Sequence, residues 1–237
     1  MRSTPPEVLR AVIFDFDGVL ADTMSDNLRA WQHAFGKHGV ALGAHAYYPL
    51  EGMGRNEIAE TLCRRYAVRL MYAADIAREK ERFYLSENHF RLYPGVPELL
   101  RTLHDAGIHL ALVTGASRER LESSLDQTIR AFFSSIVTSD DVATTKPDPE
   151  PYTKALTELN ETAGHSVAIE NAPLGITSAK EAGLFCIALC TTLPADMLGR
   201  SDLILHTHAD LPAFFSRYTS PDGPGRATLR DSERGRP

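Results

Sequence analysis

The chain has 237 residues, and 43% of them are hydrophobic, which suffices for one sizeable domain with an insert or for two small domains. A formal net charge of −6 offers no electrostatic surface for nucleic acid, and no apolar run approaches the roughly 20 residues of a membrane span. The three scattered cysteines and an N-terminus without an apolar signal region favour a reduced, cytoplasmic protein. We therefore expect neither nucleic acid nor a membrane among its partners.

Short hydrophobic segments typical of buried strands recur along the chain. They cover residues 11–15, 109–113, 135–138, 166–169 and 185–189. Apolar residues at helical spacing separate the later segments, over residues 96–106, 117–130, 149–160 and 173–182. Strands that alternate with helices predict an α/β fold with a doubly wound parallel sheet and a Rossmann-like core.

Residues 22 to about 91 interrupt this alternation, because they contain helical patterns but no convincing strand. The patterns cover residues 22–39, 54–66 and 73–88. So long an excursion after the first strand predicts an inserted helical subdomain, and Tyr93-Pro94-Gly95 marks the return to the sheet. We expect a core of residues 8–21 and 92–217, a helical subdomain of residues 22–91, and a disordered polar tail of residues 218–237.

Two acidic residues stand at the end of the first predicted strand, where open α/β sheets bind their ligands. Asp15 and Asp17 share one strand parity, so their side chains start on one side, and Gly18 allows the backbone to turn away. Two carboxylates this close repel each other unless a cation or a proton relieves the repulsion. The pair therefore implies a metal site, an acid/base pair, or both.

Other polar residues follow the later strands. Thr114 and Gly115 offer a hydroxyl and a backbone N–H that suit a phosphate oxygen. Lys146 follows the third strand and can neutralise phosphate, although a lysine beside a proline is more often a solvated surface residue. Glu170 and Asn171 follow the fourth strand, and their oxygens can bind a hard cation such as Mg²⁺. Each feature is weak alone, but together they converge on one crevice.

These residues resemble the motifs of the haloacid dehalogenase superfamily of phosphohydrolases over roughly residues 10 to 200. The likeness consists of Asp15-x-Asp17-Gly18, then Thr114, Lys146, and Glu170-Asn171 followed by Pro173-Leu174-Gly175. The inserted segment resembles the small helical cap that this superfamily places after its first strand. Leu50-Glu51-Gly52-Met53-Gly54-Arg55 and Tyr93-Pro94-Gly95 are most similar to the β-phosphoglucomutase-like branch.

The resemblance implies a role for each matching residue. Asp15 would be the nucleophile that forms an aspartyl-phosphate, and Asp17 would protonate the leaving oxygen and then activate water. Thr114, Gly115 and Lys146 would hold the phosphoryl group. The implied Mg²⁺ ligands are Asp15, Asp17 through its backbone carbonyl, Glu170 and Asn171.

Two positions depart from the branch pattern. Asn171 stands where an aspartate is more common, so the site carries one less negative charge, and Glu170 could compensate by coordinating directly. Asn27 stands in a part of the first cap helix where the mutases have a histidine, which argues against a mutase. The cap candidates for substrate contact are Thr23 at the hinge, Arg55 and Lys80, although Lys80 fits a solvated charged face equally well.

The sequence therefore favours a Mg²⁺-dependent phosphatase of a small phosphorylated metabolite, a sugar or polyol phosphate, that uses an aspartyl-phosphate. One alternative is a β-phosphoglucomutase-type sugar-phosphate mutase. Another is a catalytically weak metabolite-binding protein whose metal site is impaired at Asn171. We expect a monomer or a weak dimer, because no exposed heptad or long apolar edge stands out.

Overall fold

A computed structural model describes residues 4–220 of the chain. Its centre is one sheet of parallel strands in the order β3-β2-β1-β4-β5-β6. The strands are β1 (Ala11–Phe14), β2 (His109–Val113), β3 (Ser135–Val137), β4 (Ser166–Glu170), β5 (Phe185–Leu189) and β6 (Leu203–Leu205). This topology confirms the doubly wound α/β fold, and its order reverses between β1 and β4, where such folds place their binding crevice.

Strand register brings the ends of three strands level with one another. Phe14 of β1 pairs with Leu112 of β2 on one side and with Ile169 of β4 on the other. The backbone N–H of Asp15 continues the ladder by donating to the carbonyl of Ile169 at 3.0 Å. Residues that follow these three strands therefore meet at the carboxyl edge of the sheet.

Helices cover both faces of the sheet. They are α5 (Val96–Asp105), α6 (Arg118–Ser124), α7 (Gln127–Arg130), α8 (Glu150–Leu159), α9 (Pro173–Glu181) and α10 (Leu211–Thr219). The single helix predicted over residues 117–130 is wrong, because the chain becomes extended at Leu125 and the Asp126 side chain accepts from the Thr128 N–H at 2.6 Å, which begins α7. Ser117 caps α6, since its hydroxyl accepts from the Arg120 N–H at 3.3 Å.

The segment between β1 and β2 forms the helical cap. Its helices are α1 (Met24–Gly36), α2 (Ala44–Tyr47), α3 (Arg55–Arg65) and α4 (Ala73–Glu87). The cap has an apolar core of its own, in which Trp31 and Phe35, one helical turn apart on α1, are almost completely buried. The two chain crossings lie side by side, with the Asp22 N–H donating to the Arg91 carbonyl at 2.9 Å.

The last helix extends two residues beyond Arg217, where we expected the ordered core to end. Tyr218 is buried, and its hydroxyl donates to the Pro6 carbonyl at 2.7 Å, which ties α10 to the start of the chain. The disordered tail predicted for residues 218–237 is therefore wrong at its start, where α10 continues to Thr219. Residues 221–237 lie outside the described part, and the division into domains stays a prediction. Within residues 4–220, no helix is both long and apolar enough to cross a membrane.

Candidate active site

A cavity lies between the carboxyl edge of the sheet and the cap. The core lines it with Asp15, Asp17, Thr114, Gly115, Ala116 and Arg120, and the cap lines it with Trp31, Tyr47, Glu51, Gly52, Met53, Arg55, Ile58 and Lys80. The strand ends thus bring together the acids and the Thr-Gly pair that the sequence singled out. Two cap candidates, Arg55 and Lys80, face the same space.

Lys146 joins two carboxylates that follow different strands. Its Nζ lies 2.6 Å from Asp15 Oδ1, 2.7 Å from Glu170 Oε1 and 3.2 Å from the Val113 carbonyl. The Tyr152 hydroxyl donates to the same Glu170 oxygen at 2.6 Å. Burial disfavours the charged form of Lys146, but the carboxylates of Asp15 and Glu170 outweigh it and raise the pKa of the ammonium. Lys146 is therefore a buried cation and not a solvated one.

Asp15 is a buried carboxylate beside this cation. Burial raises the pKa of Asp15 well above its ordinary value, while Lys146 acts in the opposite direction and Glu170 adds to the increase. Thr114 is buried close by at the end of β2, where its hydroxyl accepts from the Ala116 N–H at 3.0 Å. The site therefore lacks positive charge in proportion to its carboxylates, which suits the binding of a metal cation.

Asp17 is held by side chains of both domains. Its Oδ1 accepts from the Thr23 hydroxyl at 2.5 Å and from Asn27 Nδ2 at 3.0 Å, and its Oδ2 pairs with Arg120. Thr23 is fully buried in this contact and does not line the cavity, so its position favours holding Asp17 over touching substrate. The acid is thus fixed in orientation by groups on α1 and α6.

Asn27 also connects Asp17 with two buried cations. Its Oδ1 accepts from Lys80 Nζ at 2.8 Å and from Arg120 at 3.0 Å. Lys80 is only 2% exposed, and burial, with Arg120 close by, lowers its pKa to about 8. Arg120 was not predicted from the sequence, although its place in the first turn of the helix after Thr114-Gly115 could have indicated an inward position.

Arg55 reaches the cavity from the start of α3. Its guanidinium lies 3.5 Å from Glu81, which is also 3.5 Å from Lys80 and accepts from the Ser117 hydroxyl of the core at 3.2 Å. The two cap cations predicted to contact substrate therefore share a buried carboxylate. Charge compensation by Glu81 weakens the case for a second phosphate in the cap.

The cap loop lies directly on the core loops. The Gly54 N–H donates to the Thr145 hydroxyl at 3.0 Å, and Thr145 in turn contacts Glu57 of α3. A Cβ atom on Gly115 would lie 2.7 Å from the carbonyl oxygens of both Gly52 and Met53, closer than real contacts allow. The absence of a side chain at residue 115 is thus a condition for this closed arrangement.

The residues expected to hold Mg²⁺ include one buried acceptor without a partner. Asn171 Oδ1 is buried and accepts no hydrogen bond among residues 4–220, while its Nδ2 donates to the Thr192 hydroxyl at 3.1 Å. Asn171 follows β4, which pairs with the strand that ends just before Asp15, and an amide oxygen is the kind of hard donor that Mg²⁺ binds. The residues present therefore fit the metal.

Glu170 is less available than the sequence analysis assumed. Its Oε1 accepts from Lys146 and Tyr152, and its Oε2 accepts from the Asn171 N–H at 3.1 Å. In the described part of the chain, no three His, Cys, Asp or Glu side chains are grouped so as to hold a metal ion. We therefore expect Asp15 and Asn171 to provide the direct side-chain ligands, with Glu170 holding Lys146.

Comparison with known proteins agrees with this geometry. A profile of the family described as haloacid dehalogenase-like hydrolase matches residues 12–189. Validoxylamine A 7'-phosphate phosphatase of Streptomyces hygroscopicus subsp. limoneus is 31% identical over 209 residues, which are 83% of this chain and 92% of that protein. β-Phosphoglucomutase of Bacillus subtilis is 28% identical over 213 residues, with 86% and 92% of the two chains covered.

A solved structure gives the same result in three dimensions. CbbY of Rhodobacter sphaeroides in complex with phosphate superimposes with a TM-score of 0.72 at 28% identity, covering 86% of this chain and 96% of that one. Both the sheet and the insertion of the cap are thus shared with proteins of one branch. The chain belongs to the haloacid dehalogenase-like hydrolases, as a phosphatase of the β-phosphoglucomutase-like branch in which a helical cap follows the first strand.

Proposed function

We propose that this chain is a Mg²⁺-dependent phosphatase that removes the phosphate of a small sugar or polyol phosphate through an aspartyl-phosphate on Asp15. One observation carries the proposal: Asp15 and Asp17 line one cavity but have different partners. Asp15 contacts Lys146 of the core, whereas Asp17 contacts Asn27 of the cap. This division suits a nucleophile at the phosphate and an acid/base at the leaving group.

In the first half of the reaction, a carboxylate oxygen of Asp15 bonds to phosphorus while the bond from phosphorus to the ester oxygen breaks. Asp17 donates its proton to that departing oxygen, so the product leaves as an alcohol. In the second half, Asp17 accepts a proton from a water whose oxygen attacks phosphorus. The bond to Asp15 then breaks, and inorganic phosphate and the free carboxylate are regenerated.

The remaining core residues stabilise the phosphoryl group during transfer. Lys146 lies at Asp15 with its ammonium buried, so its charge acts on the phosphoryl oxygens in a site of low polarity. Thr114 and the N–H of Gly115 at the end of β2 are available to donate to those oxygens. Together they favour the charge distribution of the transition state over that of the bound ester.

A Mg²⁺ ion would be held by Asp15, the backbone carbonyl of Asp17 and the amide oxygen of Asn171. When bound, it would supply positive charge that reduces the repulsion between the Asp15 carboxylate and the phosphate dianion. Glu170 contributes indirectly, because it fixes the ammonium of Lys146 at 2.7 Å.

Two observations favour hydrolysis over the mutase alternative. Asn27, and not a histidine, contacts the acid/base from the cap, and Glu81 already compensates the cations Arg55 and Lys80. A mutase must hold two phosphates at once, which calls for uncompensated positive charge at the cap. The likeness to a phosphatase of validoxylamine A 7'-phosphate supports the same choice.

The test is phosphate release from a panel of phosphorylated sugars and polyols, with and without Mg²⁺, by the wild type and by Asp15→Asn. The amide is nearly isosteric and cannot act as the nucleophile, so we expect Mg²⁺-dependent release that disappears in the variant. Release by a folded Asp15→Asn protein would overturn the covalent mechanism. Transfer to a second position of the sugar under a bisphosphate activator would identify a mutase, and metabolite binding without turnover would identify a binding protein.

A further inference from the structure

The Glu51 side chain carries a hydrogen-bond acceptor without a partner in the wall of the cavity. Glu51 is 9% exposed, and its Oε1 is buried with no hydrogen-bond partner within residues 4–220. A carboxylate offers only acceptors, and a buried polar atom that stays unpaired costs free energy. The ionised form of Glu51 therefore lacks a donor, and the cavity is the place from which a donor can approach.

The nearby cations are bonded elsewhere and do not fill this role. Lys80 donates to Asn27 and Glu81, and Arg120 donates to Asp17 and Asn27. Burial, followed by the charge of Asp17, raises the pKa of Glu51 to about 7, while Arg120 and Lys80 oppose the increase. Glu51 thus lies within the electrostatic influence of these cations without a hydrogen bond to either of them.

Arg120, which lines the same cavity, carries a donor without a partner. Arg120 Nε is buried and has no hydrogen-bond partner in the described part of the chain. A hydroxyl group can both donate to a carboxylate such as Glu51 and accept from a cation such as Arg120, whereas a phosphate dianion can only accept. The rings of Trp31 and Tyr47, with centroids 6.1 Å apart, add apolar surface that suits the C–H face of a saturated ring.

We propose that Glu51 is a specificity-determining residue, which accepts a hydrogen bond from a hydroxyl or amino group on the leaving part of a phosphorylated, polyhydroxylated ring and repels a second phosphate. The inference rests on the proposed function, because only a phosphatase at this site has a leaving part to recognise. Glu51 would then make the cap select leaving parts that carry a hydroxyl or amino group.

The experiment compares kcat/KM for several esters, each divided by kcat/KM for p-nitrophenyl phosphate, whose leaving part has no hydroxyl or amino group in the ester. The esters are the best substrate among hexose, hexitol and cyclitol monophosphates, its amino-substituted counterpart, and a sugar bisphosphate. For Glu51→Leu we expect the ratio for the monophosphate to fall by about 10- to 100-fold. The ratio for the bisphosphate is expected to rise, because the repelling charge is gone.

Glu51→Gln separates the two donors. Its amide oxygen still accepts from a hydroxyl, so a hydroxyl partner predicts a loss within about 3-fold, whereas an amino partner predicts a loss of at least about 10-fold for the amino ester alone. Because glutamine is nearly isosteric, this variant also serves if Glu51→Leu does not fold. Glu60→Gln, at an exposed position of α3, is the matched control and should leave every ratio unchanged.

Equal ratios in the wild type and both Glu51 variants would overturn this inference while leaving the phosphatase intact. Failure of the proposed function has a different signature, since the wild type would then release no phosphate from any ester, p-nitrophenyl phosphate included. In that case, calorimetric titration of the same monophosphates into the wild type and Glu51→Leu measures whether Glu51 contributes to their binding affinity. Equal affinities would reject Glu51 as the selecting residue, and a loss of about 10-fold or more would support it.

Discussion

Asn27 of the cap donates a hydrogen bond to Asp17 of the core at 3.0 Å, so the proposed acid/base is positioned across the domain boundary. The same amide group accepts from Lys80 and Arg120, which fixes its orientation. Asp17 therefore has its full set of partners only when the cap lies on the core. Closure of the cap and alignment of the acid become one event.

Replacement of Asn27 tests this coupling. We expect Asn27→Ala to lower kcat on the order of 10- to 100-fold with a smaller change in KM, because Asp17 loses a positioning contact while the phosphate site stays intact. Steady-state kinetics on the best ester of the panel provides the measurement. Ser25→Ala, an exposed position on the same helix, is the control. A change confined to KM would show that Asn27 contributes only to binding.

Asn171→Asp tests the metal site. The additional carboxylate should lower the Mg²⁺ concentration needed for half-maximal activity on the order of 10-fold, because it replaces a neutral ligand by a charged one. Without Mg²⁺ the variant should melt at a lower temperature than the wild type, since the new charge follows β4, the strand beside the one that ends just before Asp15, and added Mg²⁺ should reverse the difference.

Asn56→Asp adds the same charge at an exposed position of α3 and controls for net charge. If the Mg²⁺ titrations of the wild type and Asn171→Asp coincide, residue 171 is not a ligand.

Lys146→Met should make folding stability depend on pH in a defined direction. Near neutral pH, loss of the ammonium leaves buried carboxylates unpaired and should lower the free energy of unfolding by about 3 kcal/mol. Burial already raises the pKa of Asp15, and loss of Lys146 raises it further. The folded variant therefore binds a proton that the unfolded chain does not, so its stability relative to the wild type should increase as pH falls from about 8 to about 5.

Urea unfolding at several pH values, with a chelator present, measures this effect. Lys154→Met on α8 removes a lysine that is 38% exposed and should show no such trend. Parallel curves for the wild type and Lys146→Met would contradict the assigned pairing of Lys146 with Asp15.

Gly115→Ala tests the closed arrangement. Its Cβ would lie 2.7 Å from two carbonyl oxygens of the cap loop, so the loop must move away from the phosphate site. We expect kcat to fall by about 10-fold or more, because the cap excludes water and completes the site only when closed. Gly164→Ala, where a Cβ meets no atom within 4 Å, is the matched control. Unchanged kinetics in Gly115→Ala would mean that catalysis does not require this contact.

Much of the site follows from the sequence because it depends on strand ends. A hydrophobic run fixes where β1 ends, and residues that follow parallel strands meet at one edge, so the meeting of Asp15 with Thr114 and Glu170 could be expected. The inward orientation of the Lys80 side chain could not be predicted, because its charged neighbours on α4 are compatible with a solvated face. Only the packing of α4 against α1 shows which side of the helix is buried. Arg120 escaped prediction because its contacts join the core to the cap, and Glu51 because only the folded structure shows its carboxylate oxygen buried without a partner.

The contacts of cap and core residues with Asp17 also affect which step of the catalytic cycle is slowest. The alcohol product has to leave a closed cavity before water can take its place, and inorganic phosphate has to leave after hydrolysis. Each release requires the cap to open, which separates Asn27 from Asp17. Each catalytic cycle then contains two openings of the cap. Where cap opening is slower than the breaking of bonds to phosphorus, it limits kcat. Esters of very different chemical lability would then turn over at similar rates. Preference among them would be expressed when they are captured, before any bond to phosphorus changes.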